Sequence, residues 1–298
     1  MNTGKNLRVG IVQHSCTISR NENLGRSLDG IRLAASDGAR LVLLQELHST
    51  VYFCQNEETK SFALAEPVPG PTSGLLGDLA RELGIVIVGS VFEKRADGLF
   101  HDTAVVLNPD GELAGIYRKT HIPDDPGYAE KFYFTPGDLG IHAIETPVGR
   151  LGVLVCWDQW YPEAARLMAL DGAQLLLYPS AIGWDPNDTT DEKERQLQAW
   201  ITVQRGHAIA NHLPVLCCNR CGTEPAADSS RSEIEFWGSS FACGPQGEML
   251  GQAGSAEQAL IVDLDLGRCE ELRCTWPFFR DRRIDLYGDL AKGYREHD

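Results

Sequence analysis

A glutamate, a lysine and a cysteine each follow an apolar segment typical of a buried strand: Glu46, Lys119 and Cys156. A free thiol is only a few per cent ionised at neutral pH, so a nucleophilic cysteine needs a base. A carboxyl group at an apolar strand end suits that task, because burial raises its pKa towards neutrality. A lysine ammonium can stabilise the oxyanion of a tetrahedral intermediate. Together the three residue types predict nucleophilic catalysis by Cys156.

Cys156 lies between a predicted strand, residues 151–155, and a predicted helix with Pro162 in its first turn. We expect such a turn to hold the thiol rigidly and partly exposed, with the helix N-terminus favouring the thiolate. A single cysteine at a strand end is more often a packed structural residue. Three strand ends bearing these residue types are hard to explain by packing, so we interpret them as one catalytic set.

The elements that must position this set alternate between strands and helices. Asn108-Pro-Asp-Gly111 is a turn sequence that predicts a hairpin. Hairpins mixed with βα units indicate an α/β fold whose sheets contain parallel and antiparallel pairs, covered by helices. Side chains beyond strand ends gather in one crevice of such sheets, so we expect the set to meet there. The predicted strands are 7–13, 40–45, 85–91, 103–108, 113–118, 151–155, 174–178, 215–219 and 260–264, with a second hairpin over 241–250, and the predicted helices are 21–36, 73–83, one from Pro162, and 189–212.

The 298 residues contain no internal repeat, low-complexity tract or evident linker. We therefore expect one domain spanning 1–298. Residues 270–298 are aromatic and charged without a clear period. We interpret them either as an interface arm that packs on a partner subunit or as a segment that packs on its own subunit.

The composition limits the classes of partner. Forty-two acidic residues against 27 basic ones give a net charge of −15, which argues against nucleic acid or an anionic membrane surface and is compatible with a cationic substrate. No apolar run approaches the roughly 18–20 residues that span a bilayer, and residues 1–6 leave no room for a signal peptide before the first strand. Nine irregularly spaced cysteines suit reduced thiols. We expect a cytoplasmic protein.

The cysteines at 217, 218 and 221 suggest a metal site only superficially. Neighbouring residues on a strand point to opposite faces, so Cys217 and Cys218 cannot readily bind one ion. No phosphate-binding glycine-rich loop is evident either, and we expect neither a metal nor a cofactor. A zinc or redox protein built on these cysteines, and a catalytically silent binding protein, remain as alternatives.

The order Glu, Lys, Cys resembles the nitrilase (carbon–nitrogen hydrolase) superfamily over nearly the whole chain. The matching segments are Leu41-Val-Leu-Leu-Gln-Glu46, Tyr117-Arg-Lys119-Thr-His and Cys156-Trp-Asp-Gln-Trp. The resemblance implies that Glu46 is the general base, Lys119 the oxyanion stabiliser and Cys156 the nucleophile, with Glu130 orienting the lysine. It also implies a four-layer αββα sandwich, with two mixed sheets flanked by helices, that assembles into homodimers or larger homo-oligomers.

Within that superfamily, segments 121–137, 156–166 and 203–211 are similar to the amidohydrolases that convert N-carbamoylputrescine to putrescine, carbon dioxide and ammonia in polyamine synthesis. The chain departs from their pattern at Asp125, where glycine is expected, and at 183–185, where Gly-Ser-Glu is expected. The alternatives are hydrolases of N-carbamoyl amino acids, β-ureidopropionases and aliphatic amidases. Enzymes that act on acids need an arginine or lysine to bind the substrate carboxylate.

A substrate derived from a diamine needs a carboxylate at the far end of its pocket. Asp185 is the first candidate and Asp125 the second; the alternative for Asp185 is a turn residue before Pro186. Aromatic side chains could line the pocket around a methylene chain and offer cation–π contacts, although each is also a common packing residue. The aromatic candidates are Tyr52, Tyr128, Trp157 and Trp184.

Overall fold

The computed structural model describes residues 6–224 and 233–295. Its helices are α1 (Arg20–Ser36), α2 (Pro71–Leu83), α3 (Pro162–Leu170), α4 (Thr190–Asn211) and α5 (Leu266–Thr275). Its strands are β1 (Asn6–Gln13), β2 (Leu41–Leu44), β3 (Val86–Ala96), β4 (Leu99–Leu107), β5 (Leu113–Arg118), β6 (Ile144–Thr146), β7 (Gly149–Val153), β8 (Leu175–Ser180), β9 (Gly183–Trp184), β10 (Val215–Asn219), β11 (Cys221–Glu224), β12 (Ile234–Trp237), β13 (Phe241–Cys243), β14 (Met249–Gln252) and β15 (Gln258–Asp265). None of these helices is long and apolar enough to cross a membrane.

The first large sheet has the strand order β15-β1-β2-β3-β4-β5. Strands β1, β2 and β3 are parallel, and the others join antiparallel. Both faces of β2 are buried: Leu41 and Leu43 belong to the core shared with the other sheet, whereas Val42 and Leu44 pack with α1 and α2. A continuous apolar run is typical of a strand covered on both sides.

The second large sheet has the order β14-β13-β10-β8-β7-β6, with β7, β8 and β10 parallel. One hydrophobic core joins side chains of the two sheets, such as Ile11, Val88 and Leu177, and extends to Met168 of α3 and Trp200 of α4. The layers are therefore α1 and α2, the first sheet, the second sheet, and α3 and α4. The αββα sandwich predicted from the resemblance is confirmed.

Local signals in the sequence explain where several elements begin and end. Gly84 ends α2 in the left-handed region at φ 67°, and the side chain of Thr189 accepts a hydrogen bond from the Glu192 amide at the start of α4. The predicted hairpin is formed by β4 and β5 around Asn108–Gly111. The hairpin predicted over 241–250 is formed by β13 and β14. The sequence did not predict α5, β6 or the third sheet, which has the order β11-β12-β9.

The segment predicted as a C-terminal arm begins inside α5 and continues through two 3₁₀ turns, Ile284–Leu286 and Gly288–Ala291. It presents large apolar side chains to solvent, including Ile284 at 70% exposure and Leu290 at 68%. Burying such side chains would stabilise an assembly.

Candidate active site

Glu46, Lys119 and Glu130 meet in the interior of the protein. The Lys119 Nζ atom donates hydrogen bonds to Glu46 Oε1 at 2.7 Å and to Glu130 Oε2 at 2.6 Å, and all three side chains are buried. Glu46 lies two residues beyond β2, and Lys119 directly follows β5. The sheet therefore brings together residues 73 positions apart in sequence.

The charges of this group are strongly coupled. Burial alone would lower the pKa of Lys119, but the carboxylates of Glu130 and Glu46 raise it well above its usual value. The pKa of Glu130 is raised to about 7, because the effect of burial exceeds that of the Lys119 ammonium, which lowers the pKa. The Tyr52 hydroxyl donates to Glu130 Oε1 at 2.6 Å. Lys119 is therefore a fixed ammonium, and Glu130 accepts hydrogen bonds at both of its oxygens.

Cys156 begins a 3₁₀ helix, Cys156–Trp160, that precedes α3. Its backbone has φ 42°, a strained value for a residue with a side chain, and Asp158 fixes the turn by accepting from the Val155 amide at 2.9 Å and the Tyr117 hydroxyl at 2.8 Å. Active sites commonly hold a residue in such a conformation.

The expected partly exposed, thiolate-favouring position of Cys156 is wrong. The residue is only 4% exposed, and burial followed by the negative charge of Glu46 raises the pKa of the thiol well above its usual value. Lys119 and the backbone N–H of Ala181 act in the opposite direction. Burial outweighs the effect of the short helix, so the resting sulfur is a thiol that needs a base.

Arg220 anchors the loop that carries Glu46. Its buried guanidinium donates to the main-chain carbonyls of Glu46 at 3.1 Å, Leu47 at 2.9 Å and Thr50 at 2.8 Å, and pairs with Glu224 at 2.6 Å. Sequence reasoning missed this role, because an arginine beside three cysteines gives no signal of which distant carbonyls it will meet.

A cavity of about 340 Å³ opens on Cys156. Four of the predicted substrate-binding residues line it: Asp125, Tyr128, Trp157 and Asp185. The walls also include residues that sequence reasoning missed, among them Pro123, Trp160, Ile182, Asp188, Gln196 and Trp237. They come from separate loops, the third sheet and the start of α4, so no local motif marks them.

The other two predicted substrate-binding residues lie elsewhere. Tyr52 is buried, donates its hydroxyl hydrogen bond to Glu130 and lines a different cavity. The indole of Trp184 packs against Trp237 at 5.3 Å between ring centroids, and its N–H donates to the Lys193 carbonyl at 3.0 Å. Trp184 therefore supports the cavity wall from behind.

The aspartates around the cavity differ in their exposure and in the hydrogen bonds that their carboxylate oxygens accept. Asp185 is exposed, and its Oδ1 accepts from the amide and the side chain of Asn187, both at 2.8 Å. Asp188 is half-buried and accepts from Gln196 at 3.0 Å through Oδ2. Burial raises the pKa of Asp125 from its usual value. The mouth of the cavity is acidic.

Asp102 completes the buried group, and sequence reasoning missed it. Its Oδ2 lies 3.8 Å from Lys119 Nζ. The signal was present in the predicted hairpin: the pairing of Thr103 with Arg118 places Asp102 across from Lys119. We call Glu46, Asp102, Lys119 and Glu130 the ionic cluster.

Among the described residues, Glu46, Asp102 and Glu130 form the one group of three or more acidic, histidine or cysteine side chains whose potential ligand atoms all lie within 4.8 Å of one another. The Lys119 ammonium contacts these carboxyl groups, as a bound cation otherwise would. Cys217, Cys218 and Cys221 are buried, and burial raises the pKa of each thiol.

The comparison that decides the family is a match of residues 8–274 to the family model for carbon-nitrogen hydrolases. The chain belongs to the carbon-nitrogen hydrolase family. It is a hydrolase acting on non-peptide carbon–nitrogen bonds, and the nitrilase-superfamily resemblance predicted from the motifs is confirmed.

Relatives of this carbon-nitrogen hydrolase match over most of their length. The chain is 43% identical to an N-carbamoylputrescine amidase of Solanum lycopersicum over 283 residues, which cover 94% of this chain and 93% of the relative. It is 40% identical to a citrullinase of Francisella tularensis over 292 residues, covering 97% and 99%. A solved carbon-nitrogen hydrolase from Helicobacter pylori G27 has 50% identity and a TM-score of 0.95, covering 97% and 100%.

Proposed function

We propose that this hydrolase cleaves the ureido group of N-carbamoylputrescine, giving putrescine, carbon dioxide and ammonia. The observation that carries the proposal is the charge of the cavity at Cys156. Asp125, Asp185 and Asp188 line it, and no lysine or arginine is among the described residues of its wall. A substrate with a free ammonium at its far end meets opposite charge there, whereas a substrate carboxylate meets none.

Each polar group of the site has a chemical task in this reaction. Cys156 attacks the ureido carbon as Glu46 takes the thiol proton, and Glu46 then returns a proton to the departing nitrogen. Glu46 next takes a proton from water, whose oxygen attacks the thioester-like intermediate. As the carbon–sulfur bond breaks, Glu46 passes this proton to the sulfur, which restores the thiol and the Glu46 carboxylate. The carbamic acid that is left loses carbon dioxide.

The ureido carbonyl is a poor electrophile, because two nitrogens donate electrons into it. Lys119 and a backbone N–H near Trp157 polarise it and stabilise the oxyanion, and one such donor typically contributes about 3–4 kcal/mol. Glu130, hydrogen-bonded to Lys119 at 2.6 Å, orients the ammonium for this task.

The second candidate substrate is L-citrulline, favoured by the 40% identity to a citrullinase. Citrulline also has a ureido group and an ammonium, but its α-carboxylate has no cationic partner among the described cavity residues. An unpaired carboxylate loses hydration without compensation, so we rank citrulline below N-carbamoylputrescine.

Ammonia release measured with four ureido compounds tests the choice. They are N-carbamoylputrescine, L-citrulline, N-carbamoyl-β-alanine and N-pentylurea, in which a methyl group replaces the terminal amine. We expect the highest kcat/KM with N-carbamoylputrescine and a higher KM with the neutral analogue. A preference for N-carbamoyl-β-alanine or citrulline would replace the proposed substrate, and a preference for N-pentylurea would exclude recognition of the ammonium.

We also propose a cytoplasmic enzyme that self-associates through residues 270–298. The nine free cysteines support a reducing compartment, and exposed Ile284 and Leu290 support an apolar interface. Light scattering of the full chain and of an Ile284→Asp, Leu290→Asp variant tests the interface. We expect the variant to have the lower mass, and an unchanged mass would place the interface elsewhere.

A further inference from the structure

Asp102 sits in the ionic cluster without an assigned task. It belongs to β4, its backbone carbonyl accepts from the Lys119 amide at 2.9 Å, and its side chain is fully buried. The cluster holds three carboxyl groups and one ammonium. If all four groups were ionised, two negative charges would remain uncompensated away from water, which is strongly unfavourable.

The hydrogen bonds of Asp102 distinguish its two oxygens. The Ser90 hydroxyl donates to Oδ1 at 2.8 Å, while the Ser90 oxygen accepts from the Leu47 amide at 3.2 Å. Oδ1 is therefore an acceptor. Oδ2 is buried and has no hydrogen-bond partner among the described residues, and the 3.8 Å to Lys119 Nζ is too long for such a bond.

Glu46 also has one carboxyl oxygen that is free to accept a hydrogen bond. Its Oε1 accepts from Lys119 at 2.7 Å, whereas no residue in the described part of the chain forms a hydrogen bond with its buried Oε2. Carboxyl oxygens of Asp102 and Glu46 lie within 4.8 Å of each other. One proton on Asp102 Oδ2 would provide a donor for the Glu46 carboxylate and remove one buried negative charge.

We infer that Asp102 is a positioning residue, which carries a proton in the resting enzyme and donates it in a hydrogen bond to the Glu46 carboxylate. The bond keeps Glu46 ionised and fixes the rotation of its carboxyl group, so that it is ready to accept the thiol proton. The inference rests on the proposed role of Glu46 as base, but not on the identity of the substrate.

The groups that face Asp102 agree with this protonation state. Burial, followed by the negative charge of Glu46, raises the pKa of Asp102 well above its usual value, and Glu130 acts in the same direction. The Lys119 ammonium acts in the opposite direction. Two further groups also face Asp102, the neutral Ser90 hydroxyl and the buried thiol of Cys54, whose pKa burial raises.

Thermal unfolding of Asp102→Asn separates a protonated Asp102 from an ionised one. Unfolded Asp102 is ionised above pH 4, so holding a proton in the folded state weakens stability increasingly as the pH rises. Asparagine removes this penalty and keeps a donor. We expect the unfolding midpoint of Asp102→Asn to exceed that of the wild type by about 3 °C or more at pH 8, with the difference closing towards pH 4.

If Asp102 were ionised and paired with Lys119, the same variant would instead have a lower midpoint at pH 8. That result would overturn the inference, and so would an unchanged midpoint. Asp29→Asn, on the exposed face of α1, is the matched control and should leave the midpoint unchanged. Infrared difference spectra at pH 8 give a direct check, because the carbonyl stretch of a neutral carboxylic acid should disappear in Asp102→Asn.

Kinetics separate positioning of Glu46 from a purely structural role. Asp102→Leu has similar volume and no donor, so we expect kcat to fall by about 10- to 100-fold, as for a lost hydrogen bond to a charged group, with little change in KM. The kcat of Asp102→Asn should be at least tenfold higher than that of Asp102→Leu. Equal kcat values in the two variants would overturn the positioning role. The stability and infrared results do not depend on activity, so an incorrect substrate assignment would leave them intact.

Discussion

The guanidinium of Arg220 binds the main-chain carbonyl of Glu46 at 3.1 Å. Through this contact, a buried residue that directly follows strand β10 of the second sheet holds the loop that carries the proposed base. Arg220 is compensated by Glu224, and burial of the pair excludes water from both charges. The position of Glu46 therefore depends on residues more than 170 positions away in sequence.

Arg220→Met should destabilise the protein and lower kcat. The substitution leaves the Glu224 carboxylate buried without its partner and frees three main-chain carbonyls, so we expect the free energy of unfolding to fall by about 3–5 kcal/mol. Denaturant unfolding measures this change. Arg81→Met, at an exposed ion pair, is the control. Equal stability of the two variants would contradict the anchoring role.

Removal of the Tyr52 hydroxyl should shift the pH dependence of the reaction. Glu130 accepts hydrogen bonds at both oxygens, so its ionised form is the active one, and we expect kcat/KM to rise with pH through about 7. The hydroxyl stabilises that carboxylate, so Tyr52→Phe should move the acid limb upwards by about one pH unit. Tyr133→Phe, whose hydroxyl bonds to main-chain carbonyls, is the control. An acid limb that does not move would show that ionisation of Glu130 does not control kcat/KM.

Replacement of the cavity aspartates should affect cationic substrates selectively. Asp185→Asn and Asp188→Asn remove charge with little change in shape, so each should raise KM for N-carbamoylputrescine by up to about fivefold, as for a partly screened ion pair. KM for N-pentylurea should stay constant. Asp29→Asn controls for net charge. Equal effects on both substrates would indicate a structural role for the aspartates.

Two buried histidines, His14 and His48, should lower stability as the pH drops from about 6.5 towards 4, in opposition to the contribution of a protonated Asp102. Ser27 lies between His14 Nε2 and His48 Nδ1, 2.9 Å from each, and burial lowers the pKa of His14 to about 4 and of His48 to about 3. The unfolded chain therefore binds more protons than the folded one in this range, and His14 alone accounts for about 3 kcal/mol.

The pH dependence of denaturant unfolding checks the histidine prediction. His14→Gln should lose stability less steeply than the wild type between pH 6.5 and 4. The exposed His142, replaced by glutamine, is the control and should follow the wild type. A slope for His14→Gln equal to that of the wild type would show that His14 does not control this range.

The sequence predicted the convergence of Glu46 and Lys119 because the strand before each residue is an almost uninterrupted apolar run, and rigid strands aim their ends at one crevice. It also predicted the hairpin that places Lys119 beside β4. That Asp102 lies across from Lys119 follows only from the register of the two strands, which the turn sequence alone does not specify. Motifs that are local in sequence were therefore the most informative.

Side-chain partners across distant elements were not predictable. Trp184 was expected on the cavity wall, but pairing of β9 with β12, about 50 residues away, turns its ring towards Trp237. Tyr52 was expected beside the substrate, yet its hydroxyl bonds to Glu130. The pKa of the Cys156 thiol was also not predicted correctly. Burial raises it by more than the short helix lowers it, and the extent of burial cannot be predicted from residue types alone.

Ammonia release from N-carbamoylputrescine by Cys156→Ala tests the central claim most directly. We expect a rate at least about 10⁴-fold below that of the wild type, because the substitution removes the proposed nucleophile. Cys274→Ala, at the exposed cysteine, should match the wild type, and both variants should keep the wild-type fold by circular dichroism. Sustained turnover by folded Cys156→Ala would contradict the mechanism.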